Sequence, residues 1–188
     1  MKCLMCEDFS FNIICKNCDS LIKLAPQKRF YADGFAVFSF YEYQTIEFLL
    51  KSKYYLIGSR IYKFLAKKAW AYFSGINSDF RGVYGIGLDD RVEHCYSHSG
   101  VIVKEFAKSF TPLFGVLKAQ NGIHYAGKSL KYRQNHKKGF IYSGKQGISA
   151  VLIDDIITSG ASIDEARECL EKSGVSVLFA LVLSDARF

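Results

Sequence analysis

Val151-Leu152-Ile153-Asp154-Asp155-Ile156-Ile157-Thr158-Ser159-Gly160-Ala161-Ser162 is the stretch whose reading decides the fold of this chain. Its opening apolar run reads as a buried strand. Two adjacent carboxylates follow, then a small, hydroxyl-rich turn. Ile163-Asp164-Glu165-Ala166-Arg167-Glu168-Cys169-Leu170 comes next, with helical spacing. A strand that delivers acids and a Thr/Ser/Gly turn to a helix N-terminus is suited to a phosphate ester. Unpaired backbone N–H groups and the helix dipole meet the anion at the turn. Thr158, Ser159 and Ser162 add hydroxyl donors, Ala161 keeps the turn small, and Gly160 lets the backbone approach closely. Asp154 and Asp155 then lie about one sugar ring away, placed to accept from ribose 2- and 3-hydroxyls. Paired acids at a strand end also occur in receiver domains and metal-dependent phosphatases, and Thr-Ser-Gly can be a plain helix cap. Each of those readings explains the acids or the turn, seldom both.

The pattern of apolar strand, Asp-Asp, two residues, Thr, small, Gly, small, Ser resembles the phosphoribosyl pyrophosphate (PRPP) signature of type I phosphoribosyltransferases. The resemblance implies that Asp154, Asp155, Thr158, Ser159, Gly160, Ala161 and Ser162 bind PRPP.

The chain has 188 residues, nearly half of them apolar. That length suits one full α/β domain plus a small appendage. No apolar stretch follows Lys2, Cys3 and Cys6 as a secretion signal would require, and no uninterrupted apolar run reaches the roughly 18 residues that suggest a membrane span. A cytoplasmic protein is expected, with the inner face of the cytoplasmic membrane a second location. The formal net charge is +7, and it is segregated. Between Phe106 and Ile153 there is no acid, but there are Lys108, Lys118, Lys128, Lys131, Arg133, Lys137, Lys138 and Lys145. A second acid-free interval, Phe48 to Ser78, carries Lys51, Lys53, Arg60, Lys63, Lys67 and Lys68. Such segregation suits a polyanion, either a pyrophosphate-bearing substrate or nucleic acid, although a solvated basic surface is the commoner outcome of a charge run. Tyr125, Tyr132, Phe140 and Tyr142 interleave with the bases, which favours single-strand stacking.

Cys3-Leu4-Met5-Cys6 and Cys15-Lys16-Asn17-Cys18 form two C-x-x-C pairs separated by eight residues. Each pair places two thiolates on one tight knuckle, and two knuckles complete a closed tetrahedral Zn2+ site of structural type. A redox pair is the alternative, although one C-x-x-C would be enough for it. Phe9, Phe11 and Ile13 alternate as strand residues would. The expected division is a four-cysteine zinc-binding lobe over 1–31 and an α/β domain over 32–188.

Within that domain, Ala32 to Tyr43 reads as a strand or hairpin, and Gln44 to Lys53 and Gly58 to Phe73 read as helices. Strands are expected at Phe80 to Ile86, Pro112 to Leu117, Phe140 to Tyr142, Val151 to Ile153 and Val175 to Leu183. Helices are expected at Gly100 to Phe110 and Ser162 to Lys172. The basic interval Lys118 to Lys138 reads as a long loop or hairpin. Strands alternating with helices imply a mostly parallel sheet with ligand loops at the strand C-termini.

With both end motifs in hand, the whole chain resembles the ComF/GntX family of competence-associated phosphoribosyltransferase-like proteins. Cys3, Cys6, Cys15 and Cys18 match the zinc motif, and Ile153 to Ser162 the signature. Asn135, five residues before Phe140, is similar to that family's Arg/Asn/Gly/Phe segment. In the middle, where the family carries a Gly-Phe-Asn-Gln run, this chain has Tyr96-Ser97-His98-Ser99.

The resemblance implies a type I phosphoribosyltransferase-like α/β fold, with PRPP and Mg2+ at the signature and Zn2+ at the cysteines. It also implies a competence role in which the protein handles single-stranded DNA beside the uptake machinery. Mg2+ would bridge pyrophosphate and ribose oxygens. Gly85, Ile86 and Gly87, at a strand end, are candidate backbone donors to the pyrophosphate, or only a tight turn. Lys128, Lys131 and Arg133 are candidates for a catalytic lid over the leaving group, and equally for contacts to DNA phosphates. Two classes of function stay open: a PRPP-binding module that handles DNA, and a phosphoribosyltransferase acting on an unidentified nucleobase-like acceptor.

Overall fold

A computed structural model of the chain describes residues 1–76, 80–92, 95–121 and 137–187. The N-terminal segment holds one short helix, α1 (Lys16–Leu21), and an isolated antiparallel bridge between Lys2 and Phe9. A hairpin follows, β1 (Gln27–Phe30) and β2 (Ala36–Glu42), then α2 (Tyr43–Leu50), a 3-10 turn (Lys51–Tyr54) and the long α3 (Gly58–Ile76). β3 (Val83–Gly87) leads to α4 (His98–Glu105), a 3-10 turn (Phe106–Lys108) and β4 (Thr111–Leu113). β5 (Leu117–Ala119) and β6 (Phe140–Tyr142) pair antiparallel as a separate ribbon. β7 (Ser149–Ile157), α5 (Ala161–Lys172) and β8 (Ser176–Asp185) close the described chain.

The main sheet has the order β1-β2-β8-β7-β3-β4, antiparallel only at the β1 edge and parallel elsewhere. The expected α/β fold with a mostly parallel sheet is thus observed. Strand alternation explains how both faces are covered. Val151, Ile153, Leu181 and Leu183 point to one side, where they join Ile61, Leu65 and Ala69 of α3 and Ile102 and Val103 of α4. Ala150, Leu152, Ala180 and Val182 point to the other side, against Ile163, Ala166 and Leu170 of α5 and Leu117 and Phe140 of the ribbon. Cys3, Ile13, Ile14, Cys18 and Ile22 of the N-terminal segment are buried in the α3 side of this core. Lys68 of α3 ties that segment down, with its ammonium on the Asp19 carboxylate and on the Ile22 carbonyl.

Several expectations shift in detail. Phe9 and Phe11 are exposed, Phe9 in the isolated bridge to Lys2 and Phe11 in a bend, instead of alternating along a strand. Cys15 caps α1, so the second knuckle opens a helix. The region 112–117 splits between β4 and β5, because Gly115 takes a left-handed φ of 65° and breaks the strand. β7 runs on past Ile153, since β8 continues to pair with it as far as Ile157 opposite Asp185.

That last difference creates the cleft. β3 stops pairing with β7 at Gly87 opposite Ile153. From Asp154 onward, β7 has a strand neighbour on the β8 side only, among the described residues. The connection from β3 goes over one face through α4, and the connection from β7 goes over the other through α5. Sheets of this type bind ligands where the chain departs in opposite directions from adjacent strands.

Candidate functional site

The turn after β7 is held from outside. Arg29 on β1 donates from Nη1 to the Thr158 carbonyl at 2.8 Å and from Nη2 to the Ser159 carbonyl at 2.7 Å. Its guanidinium also lies 3.8 Å from Asp185, which is buried at the end of β8. With these carbonyls engaged, the turn is preorganised without a ligand. Gly160 then adopts φ 94° as the N-cap of α5, a left-handed conformation that costs other residues energy. A Cβ there would overlap the Tyr31 hydroxyl. The Ser159 hydroxyl accepts from the Ala161 N–H at 3.4 Å. Ser162 and Ile163 belong to the first turn of α5, where helical N–H groups have no carbonyl of their own helix. The Tyr31 hydroxyl is buried and has no hydrogen-bond partner. Burial, reinforced by Asp164, pushes its pKa up to about 12, so it remains a proton donor. A neutral donor thus lies against Gly160 at the head of α5.

The two acids differ. Asp155 is buried, and its carboxylate takes a hydrogen bond from the Tyr62 hydroxyl at 2.9 Å and an ion pair from Lys53 at 3.3 Å. His98 Nε2 lies 4.0 Å from its other oxygen. Burial alone would raise this carboxyl, but Lys53, His98 and the Tyr62 bond outweigh it and hold the pKa well below the usual carboxylate range. Asp155 in turn raises Lys53. Asp154 is half-buried, and its Oδ1 accepts from the Asp155 N–H at 2.9 Å. Desolvation, reinforced by the adjacent charge of Asp155, pushes its pKa well up. One acid is therefore a fixed anion within a network, and the other is the group available to a ligand hydroxyl.

Lys53, Tyr62 and His98 carry no local sequence signal for this role. Lys53 and Tyr62 lie 102 and 93 residues from Asp155 and meet it only through the packing of the 3-10 turn and α3 on the sheet. Tyr96 secures the turn, its hydroxyl donating to the Lys53 carbonyl at 3.0 Å. Gly58 at the start of α3 is required by closeness, because a Cβ there would overlap the Ser52 carbonyl and the Tyr96 hydroxyl. Arg29 on β1 and Tyr31, just after it in the hairpin connection, likewise carry no local sequence signal.

Gly85 and Ile86 lie inside β3, between the ladders to β4 and β7, and Gly87 is its last residue at the floor of the cleft. A Cβ at Gly87 would press on Ser99 of α4 and on Asp90, so the glycine permits close helix approach. Asp89 and Asp90, which follow, anchor the ribbon: Asp89 accepts from the Ala119 N–H at 2.9 Å and Asp90 from the Gly115 N–H at 2.6 Å. Glu165 on α5 accepts from the N–H groups of Lys138 and Gly139 at 2.9 and 2.7 Å. The ribbon that flanks the basic interval is therefore rooted at the cleft. Lys128, Lys131 and Arg133 lie outside the described residues, as do His124, Tyr125, Tyr132 and Asn135.

Away from the cleft, Cys3, Cys6, Cys15 and Cys18 gather with their sulfurs all within 4.8 Å of one another. Cys6 Sγ and Cys15 Sγ are 3.7 Å apart. A tetrahedral site with Zn–S near ~2.3 Å has an edge of about 3.8 Å, so the four sulfurs fit that ion. Backbone N–H groups of Cys15 and Met5 point at Cys3 Sγ, at 3.2 and 3.5 Å. Hydrogen bonding from the Cys15 N–H lowers the Cys3 thiol to about 6, while burial pushes the Cys18 thiol up. Among the described residues no helix is long and apolar enough to cross a membrane.

No model of a known protein family matches the chain, and no curated protein sequence does. Among solved structures, it is similar to UMP synthase of Leishmania donovani, with 14% identity, a TM-score of 0.41, and coverage of 86% of this chain and 28% of that one. The chain thus spans just over a quarter of the UMP synthase. It is also similar to an adenine phosphoribosyltransferase (14% identity, TM-score 0.44, 89% of this chain and 88% of that one). A third is the orotate phosphoribosyltransferase of Mycobacterium tuberculosis H37Rv, solved with Fe(III) dicitrate (10% identity, TM-score 0.38, 88% of this chain and 91% of that one).

Proposed function

We propose that the cleft at the C-terminal ends of β3 and β7 binds PRPP. The observation that carries this reading is the braced turn at 158–162, with Gly160 left-handed at the head of α5 and the Tyr31 hydroxyl packed against it. It offers a 5-phosphate backbone donors, hydroxyls and a helix dipole in one place. Asp154 accepts from a ribose hydroxyl, and Asp155 stays ionised beside it. Displacing pyrophosphate builds positive charge on the sugar and negative charge on the leaving group, so a phosphoribosyltransferase must orient the ring and neutralise the departing oxygens. Asp154 and the turn supply the orientation. Mg2+ carried in with PRPP would supply charge neutralisation for the pyrophosphate. Gly87 remains the best placed of these three residues, Gly85, Ile86 and Gly87, for a backbone contact there, and Lys128, Lys131 and Arg133 are proposed as the basic lid. Zn2+ on the four cysteines holds the N-terminal lobe in the core.

Calorimetry with PRPP and Mg2+ tests the reading. Asp154→Asn should weaken binding by about 2 kcal/mol, the value of a hydrogen bond to a charged group. Unchanged affinity in that variant, with its fold intact, would refute the assignment.

Single-stranded DNA handling during uptake, as a competence protein of the ComF/GntX kind, is the proposed biological role. It rests on the two acid-free basic intervals. Affinity for single strands should then fall with salt at a log–log slope of roughly −0.7 per phosphate contact. Lys63 and Lys67 are the residues to replace, since Lys68 is engaged with Asp19 and the Ile22 carbonyl. A flat salt dependence would remove DNA and leave the enzyme.

A further inference from the structure

We propose that His98, Asp154 and Asp155 form a binding site for a transition-metal dication, occupied by the protein without any phosphate-bearing ligand. Their donor atoms, one imidazole nitrogen and a carboxylate oxygen from each acid, all lie within 4.8 Å of one another. His98 Nε2 and Asp155 Oδ1 face each other at 4.0 Å. That separation is too long for a hydrogen bond. It suits two ligands on either side of one ion, because metal bonds to imidazole nitrogen and carboxylate oxygen are each about 2.0–2.2 Å.

The fold brings the three together for a topological reason. His98 is the first residue of α4, which begins after β3, and the acids directly follow the part of β7 that pairs with β3. Ligands from a helix start and an adjacent strand end thus converge over the crevice where β3 stops.

Neighbouring groups aim the ligands. The Tyr62 hydroxyl and Lys53 ammonium both take Asp155 Oδ2, which leaves Oδ1 turned toward His98. The ring of His98 packs against Tyr62 with centroids 5.9 Å apart, and Ser97 caps α4 through the Gly100 N–H at 2.9 Å. Groups that orient metal ligands in this manner change affinity by about 10- to 100-fold when removed. The charge count also favours a cation. Two carboxylates meet one close ammonium, Lys53, with Lys138 acting on Asp154 from farther off. An imidazole beside two oxygens selects Mn2+, Co2+ or Zn2+ over Mg2+, which takes oxygen ligands and retains its waters. Three protein ligands leave open positions for water or for a diol. The inference does not rest on the ribose-phosphate reading, since every ligand named belongs to the chain.

Mn2+ is the probe, because it avoids thiolates and leaves the four-cysteine cluster to Zn2+. The experiment is electron paramagnetic resonance on the full zinc-loaded chain, titrated with Mn2+ in the absence of PRPP. One tightly bound Mn2+ per chain is expected, with a nitrogen coupling from imidazole in the pulsed spectrum. His98→Ala should abolish the nitrogen coupling and weaken binding tenfold or more, and Asp154→Asn should weaken it comparably. The circular dichroism and zinc content of each variant report on folding, and His98→Gln serves as a second, more conservative replacement. No bound Mn2+, or binding and coupling unchanged by either His98 replacement, would overturn the site. Calorimetry with PRPP and Mg2+ on the same samples keeps the two readings apart: PRPP binding without Mn2+ binding refutes this site alone.

Discussion

Adjacent carboxylates with opposite pKa shifts make pH a direct test of the site. Asp155 has a folded pKa below its unfolded value, so it contributes stability above the unfolded carboxylate value of about 3.9, and this is lost as pH falls through the folded value. Asp154 has a folded pKa above its unfolded value. It contributes stability below about pH 3.9, and that contribution is lost as pH rises through its folded value. Burial and the charge of Asp155 thus oppose ionisation of Asp154 in the folded chain. Asp154→Asn, which removes the ionisable group, should leave the Tm at pH 7 unchanged or raised, while it weakens ligand binding. Thermal melts between pH 3 and 8 would show it, and a lowered Tm at pH 7 would contradict the electrostatic account. Lys53→Ala should do the opposite and destabilise by about 2 kcal/mol, since it strips a charged partner from a buried anion. The sequence announces the pair of acids but not their difference, because the groups that distinguish them arrive from α3, α4 and the 3-10 turn.

Among elements, the turn between β7 and α5 depends most on a single residue. Gly160→Ala should cost about 1–2 kcal/mol for the left-handed backbone alone, and more because the new methyl meets the Tyr31 hydroxyl. Urea unfolding measures this loss. Tyr31→Phe makes a sharper test. Removing a buried hydroxyl without a partner should leave stability unchanged or raise it by roughly 1 kcal/mol, yet weaken phosphate affinity if that hydroxyl is the ligand's donor. A variant that loses stability and keeps affinity would make Tyr31 a packing residue. The turn itself is legible in sequence because its chemistry is local: strand, small residues and helix start follow one another within twelve positions. β7 is longer than its apolar run, which stops at the acids while the pairing with β8 does not. Ladder length is decided by the neighbouring strand, which a single run of residues does not display.

At the scale of the whole molecule, the four-cysteine cluster and the sheet share one core. Chelating the metal expected there should lower the Tm by roughly 10 °C, or about 3 kcal/mol, with one melting transition instead of two. Differential scanning calorimetry with and without chelator would decide, and an unchanged Tm would remove the structural metal. The cysteine spacing foretold the cluster because each pair spans only a few bonds. It did not foretell that Cys3, Cys18 and Ile22 pack with Phe40, Tyr41 and Leu65. Most consequential is the position of β1 at the edge of the main sheet. It continues the N-terminal segment, pairs with β2 from Gln27–Ser39 to Phe30–Ala36, and carries Arg29 to the turn. A truncated chain begun at residue 32 would therefore expose the flank of β2, with its run of Val37, Phe38, Phe40 and Tyr41, as a bare edge. Such edges recruit strands from other molecules, so the shortened protein should self-associate into aggregates and should bind phosphate poorly even where it stays in solution.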